Sequence, residues 1–400
     1  MSDVWIVGAS MTPFARYPAD VDLIDLAFRA ATDAMADAGV GPTDLGALTF
    51  GSAYEGGGNP GQRLSKQLGQ TGVPTWNVIN ACATGAAAFR ICHLAVKAGE
   101  ADIALAVGAE KMGKTGLLGN AAKGGRGPVS YTASGRFGSV MGTEAVLGTN
   151  LMPGVFSHAS TAYAMEHGIT FRQFAKVAEK NHANSVVNPL AQYQKAFSLG
   201  DIEADEMIAW PNTKLMCCPS GDGAAAAVVC SGERLEGFGP EVRRRAVKVS
   251  ASVLVSQPYT ETDAVTYDIN AITRLAASRA YEQAGVGPED LDLVELHDCF
   301  ASAELLHYDN LGLCEPGGAG DFVDRGGPHR GGATPVNLSG GLLSKGHPIG
   351  ATGLAGIYEI ATHLRGDAGD RQQPDARVGL AHVLGLGSSC GVHILERHTA

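Results

Sequence analysis

At 400 residues the chain is longer than one ordinary hydrophobic core supports, so two domains or one duplicated unit are expected. Apolar residues at 45% against charged residues at 18% exclude a disordered chain, and a formal charge of −11 excludes a basic nucleic-acid or anionic-membrane surface. The N-terminal MSDVWIVGAS has no basic-then-apolar leader and no window is long and apolar enough to span a bilayer, so a cytosolic protein with no membrane partner is expected.

The first strong element lies at Ala30, where AATDAMADAGVGPTDLGALTF reads as an amphipathic helix ended by glycine, a Pro-Asp turn and a short apolar strand. Next, WNVINACATGAAAFRICHLAVKAG runs from an apolar stretch into a helix that opens on small residues. Cys82 stands at that opening, where exposed N–H groups and the helix dipole favour a thiolate, so a lowered thiol pKa is expected. KTGLLGNAAKGGRGPVSYTASGRFGSV is too poor in apolar clusters for a core and reads as a covering loop, whereas TFRQFAKVAEKNHANSVVNP reads as a helix ending at proline. None of the eight cysteines falls at Cys-x-x-Cys spacing, so neither a metal site nor a dithiol redox motif is expected; Cys217, Cys218 and Cys230 read as buried thiols.

The second half then repeats the first. AGVGPxDL recurs at Ala38 and Ala284, and Ala-Thr-Gly recurs at Ala83 and Ala351, with glycine-rich LCEPGGAGDFVDRGGPHRGGAT as the place for the extra residues of the second copy. Two mixed αβ halves with helices packed on sheets follow, divided as 1–110, a middle stretch 111–245 and 246–400. LLSKGHPIGATGLAG delivers His347 through a tight glycine turn into a helix. If the halves are related by an approximate twofold, the turns bearing Cys82 and His347 face each other, which gives a nucleophile and base suited to acyl transfer. Cys390 lies in a final strand, CGVHIL, and reads as packing.

NACATG, GAEKM, KNHANSVVNPLAQY, TKLMCCPSGDGAAA, ELHDCF and GHPIGATG follow one another along nearly the whole chain in an order that resembles the thiolase superfamily, most of all its sterol-carrier-protein type. The resemblance implies an α/β thiolase fold, with the two halves packed as a five-layered αβαβα core carrying an inserted loop region. It implies cleavage of 3-oxoacyl-CoA esters, branched or steroid-derived ones included, with coenzyme A as co-substrate, through an acyl-cysteine at Cys82. His347 would be the base, His297 would hold an oxyanion-hole water, and Cys299 would serve as acid/base in place of the usual C-terminal cysteine. The N–H groups of Cys82 and Gly387 would form the other oxyanion hole. Lys114, Lys123, Arg126 and Arg136 fit two readings equally well, an offset to the negative charges of CoA or a solvated surface. A homodimer or homotetramer is implied through EGGGNPGQRLSKQLG. Biosynthetic condensation or other thioester acyl transfer stays open, as does a non-catalytic lipid-binding or scaffold protein on the same fold. The chain ends in RHTA, too early for an attached sterol-carrier domain and without a peroxisomal Ser-Lys-Leu address, as expected for the cytosol.

Overall fold

The computed structural model describes residues 3–113, 151–259, 268–386 and 389–398. The expected covering loop and its four basic residues, together with Gly387, lie outside them. The first half supplies β1 (Val4–Met11), α1 (Leu23–Ala38), β2 (Ala47–Gly51), β3 (Thr75–Val78), α2 (Thr84–Lys97) and β4 (Ile103–Lys111). Helix α3 (Phe171–Ser185) and β5 (Asp222–Ser231) follow. The second half supplies β6 (Val247–Ser256), α4 (Ile269–Ala284), β7 (Leu293–Glu295), α5 (Ala301–Asn310), α6 (Gly341–Lys345), α7 (Ile349–Arg365), β8 (Val378–Gly385) and β9 (Ser389–Arg397).

The strands run in the order β3-β2-β4-β5-β1-β6-β9-β8-β7. This is one half-sheet joined to its twin, for among the described residues the two pair only where Trp5 and Ile6 of β1 meet Lys248 and Val247 of β6. In the first, β2 lies parallel to β3 and β4, and β5 runs antiparallel to β4 and β1. In the second, β7 lies parallel to β8, β9 runs antiparallel to β8 and β6, and Val336 bridges Val294 in the place that β3 holds in the first. Strand β5, in the stretch where the sequence shows no repeat, is therefore the counterpart of β9.

Period-2 alternation sets the layers. Leu105 and Val107 of β4 face outward onto α1 residues such as Ala27, Ala31 and Met35, while Ala104 and Ala106 face inward. The inward side packs on Phe89, Cys92 and Val96 of α2 and on Leu354 and Ile357 of α7, which also cover Ala381 and Leu395 of the second half-sheet. Ile272, Ala276 and Ala280 of α4 cover that sheet's outer face. The order is α, β, α, β, α, with two helices shared in the middle.

Both outer helices stop as their sequences require: Gly39 and Gly285 take φ of 68° and 73°, the left-handed cap that glycine enters without steric cost. The central helices meet because they carry glycines. A Cβ on Gly353 would lie 2.4 Å from the Ala86 nitrogen, and one on Gly350 2.4 Å from the Ala109 carbonyl oxygen. The repeated Ala-Thr-Gly is thus a close-crossing motif that sets the starts of α2 and α7 against each other.

Candidate active site

Two turns deliver the reacting groups. Ala81 adopts φ of 48°, an unusual conformation for a residue with a Cβ, and releases Cys82 just before α2; Gly346, at φ 109°, releases His347 just before α7. The threonine of each Ala-Thr-Gly holds its own turn. Thr84 Oγ1 donates to Ala81 O at 2.6 Å and accepts from Asn80 N at 2.8 Å. Thr352 Oγ1 donates to Pro348 O at 3.0 Å and receives the His347 Nδ1 proton at 2.7 Å. With that proton assigned to Nδ1, the lone pair on Nε2 faces the Cys82 sulfur, 3.3 Å away. His297 completes the group: one donor atom from each of Cys82, His297 and His347 lies within 4.8 Å of the other two, and all three residues are buried.

The structure corrects the expected thiolate. Burial pushes the Cys82 thiol up to about 12, N–H groups of Leu386 and of Cys82 itself pull it down, and Glu110 pushes it up again. Burial also takes His347 down to about 3 and His297 well below the ordinary range, the latter helped by His347, His382 and His307. Desolvation of both partners outweighs the helix dipole, so the resting pair is a neutral thiol beside a neutral imidazole.

Cys299 follows His297 in a segment paired with the Cys217–Cys218 stretch: Phe300 bridges Cys217, and Cys218 N donates to Cys299 O at 3.0 Å. Burial raises the Cys299 thiol well above its usual value, with Cys218, Cys82 and Asp298 adding to the effect. Cys390 packs among the apolar residues under α4, where Thr273 bonds its thiol, so it stands apart from this centre.

Sequence reasoning missed the scaffolding around these groups. Asp298 accepts the Leu342 and Leu343 N–H groups at 2.7 and 3.3 Å, tying the segment between His297 and Cys299 to the first turn of α6. Glu295 accepts from Ser339 N and Oγ and pairs with Lys345 Nζ at 3.3 Å, so two acids of one motif grip both ends of the segment leading to His347. Asn181 bridges Asp298 and Glu304 at 2.7 and 2.6 Å, and Lys180 pairs with Glu304 at 2.8 Å in full burial. On the opposite side Glu110 accepts from Ser52 Oγ and from the N–H groups of Ala53, Tyr54 and Gly350, the last in the first turn of α7. Burial lifts its carboxyl to about 7 despite these bonds. The signal in sequence was an acid inside GAEKM and two inside ELHDCF; their partners lie too far along the chain to be read there.

The described geometry can be set beside known proteins. Residues 4–198 match the family model for the thiolase N-terminal domain, and residues 257–397 that for the thiolase C-terminal domain-like family. Sterol carrier protein 2 of Bos taurus is 38% identical over 98% of this chain and 72% of its own length. An acetyl-CoA acetyltransferase of Methanothermobacter thermautotrophicus is 34% identical over 99% of this chain and 100% of its own. Among solved structures, the Ltp2-ChsH2(DUF35) aldolase superposes with a TM-score of 0.81 at 24% identity, covering 99% of this chain and 98% of that one.

Proposed function

The chain belongs to the thiolase superfamily, and from that premise we propose that it cleaves 3-oxoacyl-CoA esters with coenzyme A, releasing acetyl-CoA or propionyl-CoA and leaving the remaining acyl group on Cys82. The observation that carries this reading is the 3.3 Å contact between Cys82 Sγ and a His347 Nε2 whose tautomer is held by Thr352.

A neutral pair dictates the order of events. The thiol is too weak an acid to wait as thiolate, so its proton passes to His347 Nε2 as sulfur closes on the keto carbon. The family resemblance gives the tetrahedral oxyanion to the N–H groups of Cys82 and Gly387, the latter outside the described residues. Collapse of the oxyanion expels the enolate of the shorter CoA ester, whose thioester oxygen meets His347 and a water held by His297. Among the described residues neither His297 ring nitrogen has a hydrogen-bond partner, which suits this role. Cys299 delivers the proton to carbon and then takes one from incoming CoA, a thiol of similar intrinsic acidity. Asp298 is spent on α6 and Glu110 on its four donors, which leaves the sulfur and imidazole groups to move protons.

Condensation in the opposite direction uses the same groups in reverse. A homodimer belongs to the reading: β3 is an edge strand, and Trp76 and the neighbouring Ile79 are each 42% exposed beside the EGGGNPGQ segment. Within the described residues no helix is long and apolar enough to cross a membrane.

The test is a panel of straight-chain, 2-methyl-branched and steroid-derived 3-oxoacyl-CoA esters assayed with CoA by loss of the magnesium-enolate absorbance. CoA-dependent loss with at least one class supports the reading, and its size ranks the substrates. No loss with any class, with no acyl group on Cys82, leaves the lipid-binding scaffold as the better account.

A further inference from the structure

We propose that Cys82, His297 and His347 also form a site for a single thiophilic divalent cation, Zn2+ above all, which would hold the enzyme in a reversibly inhibited state. Three features set this cluster apart from an ordinary buried thiol.

The first is spacing. In a tetrahedral site with Zn–S near 2.3 Å and Zn–N near 2.0 Å, ligand atoms stand roughly 3.3–3.6 Å apart. Cys82 Sγ and His347 Nε2 already stand 3.3 Å apart, and the His297 donor lies within 4.8 Å of both, so its ring needs to move by about an ångström to close the triangle. The second is availability. His347 already has the arrangement of a metal-ligating histidine, with Nδ1–H donated to a fixed acceptor and Nε2 free of protons. Among the described residues neither ring nitrogen of His297 has a hydrogen-bond partner to give up, while its main-chain N–H donates to His382 Nδ1 at 3.4 Å. The third is charge. Ligation replaces the Cys82 S–H bond with an S–Zn bond and releases one proton to solvent, leaving a site of net +1. Glu110, the carboxyl that acts on Cys82 through the interior, offsets it. Three protein ligands leave the fourth position to water.

Inhibition rests on the reading of Cys82 as nucleophile, because a sulfur whose lone pair is bound to zinc cannot attack. Binding itself does not rest on it. Cobalt(II) titrated into the chelator-treated protein should give one equivalent of tetrahedral site, seen as strong visible ligand-field bands and a thiolate-to-cobalt charge-transfer band. Cys82→Ala should remove the charge-transfer band, and Cys218→Ser should leave it. Thr352→Val, which keeps all three ligands but frees the His347 ring, should weaken affinity about 10–100-fold. Peptide mapping on the unmodified chain gives a second readout: Zn2+ should shield Cys82 from iodoacetamide, and a chelator should restore both labelling and any thiolytic activity.

A charge-transfer band that survives Cys82→Ala, or Zn2+ that shields Cys218 and Cys299 but not Cys82, would overturn the proposal. Acyl transfer to Cys82 measured in chelator is a separate result. Its failure would sink the thiolytic reading and leave metal binding standing.

Discussion

The turns that start α2 and α7 are equivalent by repeat, yet they are held differently. The first presents Cys82 through an alanine at φ 48° and is held by Thr84 Oγ1, which bonds Asn80 N and Ala81 O. The second presents His347 through a glycine at φ 109°, is bonded at Gly350 by Glu110 and is gripped by Glu295, Asp298 and Lys345, with Asp298 connecting through Asn181 to Glu304 and Lys180. The nucleophile turn stores a little backbone strain, while the base turn is locked by a buried polar network. The orientation of an imidazole matters more than that of a sulfur atom, since a base works only when its lone pair points at the proton. Duplication supplied two facing turns, and side chains later in the chain made them unequal.

The sharpest way to break this asymmetry is to remove one charge from the buried network. Lys180→Met strands Glu304 between Asn181, Asn337 and Tyr308, and should cost about 3–5 kcal/mol of stability, read as a large fall in melting temperature. A fall no larger than that of an exposed Lys→Met change would show that the network does not bear on the fold. Acid should expose the same core. Burial holds His93, His307, His347 and His393 at about 3 and takes His297 and His382 well below the ordinary value of 6.5. The unfolded chain binds protons at these residues below pH 6.5 while the folded one does not. Stability is therefore full above that pH and is lost as pH falls towards 3, at about 1.4 kcal/mol per pH unit for each histidine. Chemical denaturation at a series of pH values measures the slope, and a flat profile between pH 6.5 and 4.5 would contradict the burial of these rings.

Smaller effects sharpen the contrast between the turns. Thr352→Val should cut turnover by up to about a hundredfold while the protein stays folded, because His347 loses its tautomer partner and the turn loses only the single bond from Thr352 Oγ1 to Pro348 O. Alkylation of Cys82 by iodoacetamide should rise about tenfold per pH unit from 6 to 9, as for a thiol pushed up to about 12; a plateau near neutrality would reveal a resting ion pair instead. Ala81→Gly should shift stability by under about 0.5 kcal/mol, since relief of the left-handed strain nearly cancels the added chain entropy.

The architecture was legible in the sequence because its signals are local or repeated: glycine caps at Gly39 and Gly285, matched Pro-Asp turns, and Ala-Thr-Gly twice. The meeting of Cys82 with His347 followed from the repeat, and the place of His297 beside them from the resemblance carried by ELHDCF; the acid/base role of Cys299 stays a proposal. Three things were not legible. Strand β5 hides its kinship with β9 because an alanine run and CGVHIL share an alternation but no residues. The thiol's acidity was misread because a position at a helix start says nothing of how completely water is excluded, and exclusion outweighs the dipole here. The acid network depends on pairs such as Lys180 with Glu304 and Asn181 with Asp298, more than a hundred residues apart, which no spacing rule connects.

The most direct test of the whole account is mass analysis of the protein after brief incubation with a 3-oxoacyl-CoA and little free CoA. One acyl group should be found on the peptide carrying Cys82, be discharged by added CoA, be absent in Cys82→Ala and form far more slowly in His347→Ala. An acyl group on Cys218, Cys299 or Cys390 instead, or full-speed labelling of Cys82 without His347, would contradict it.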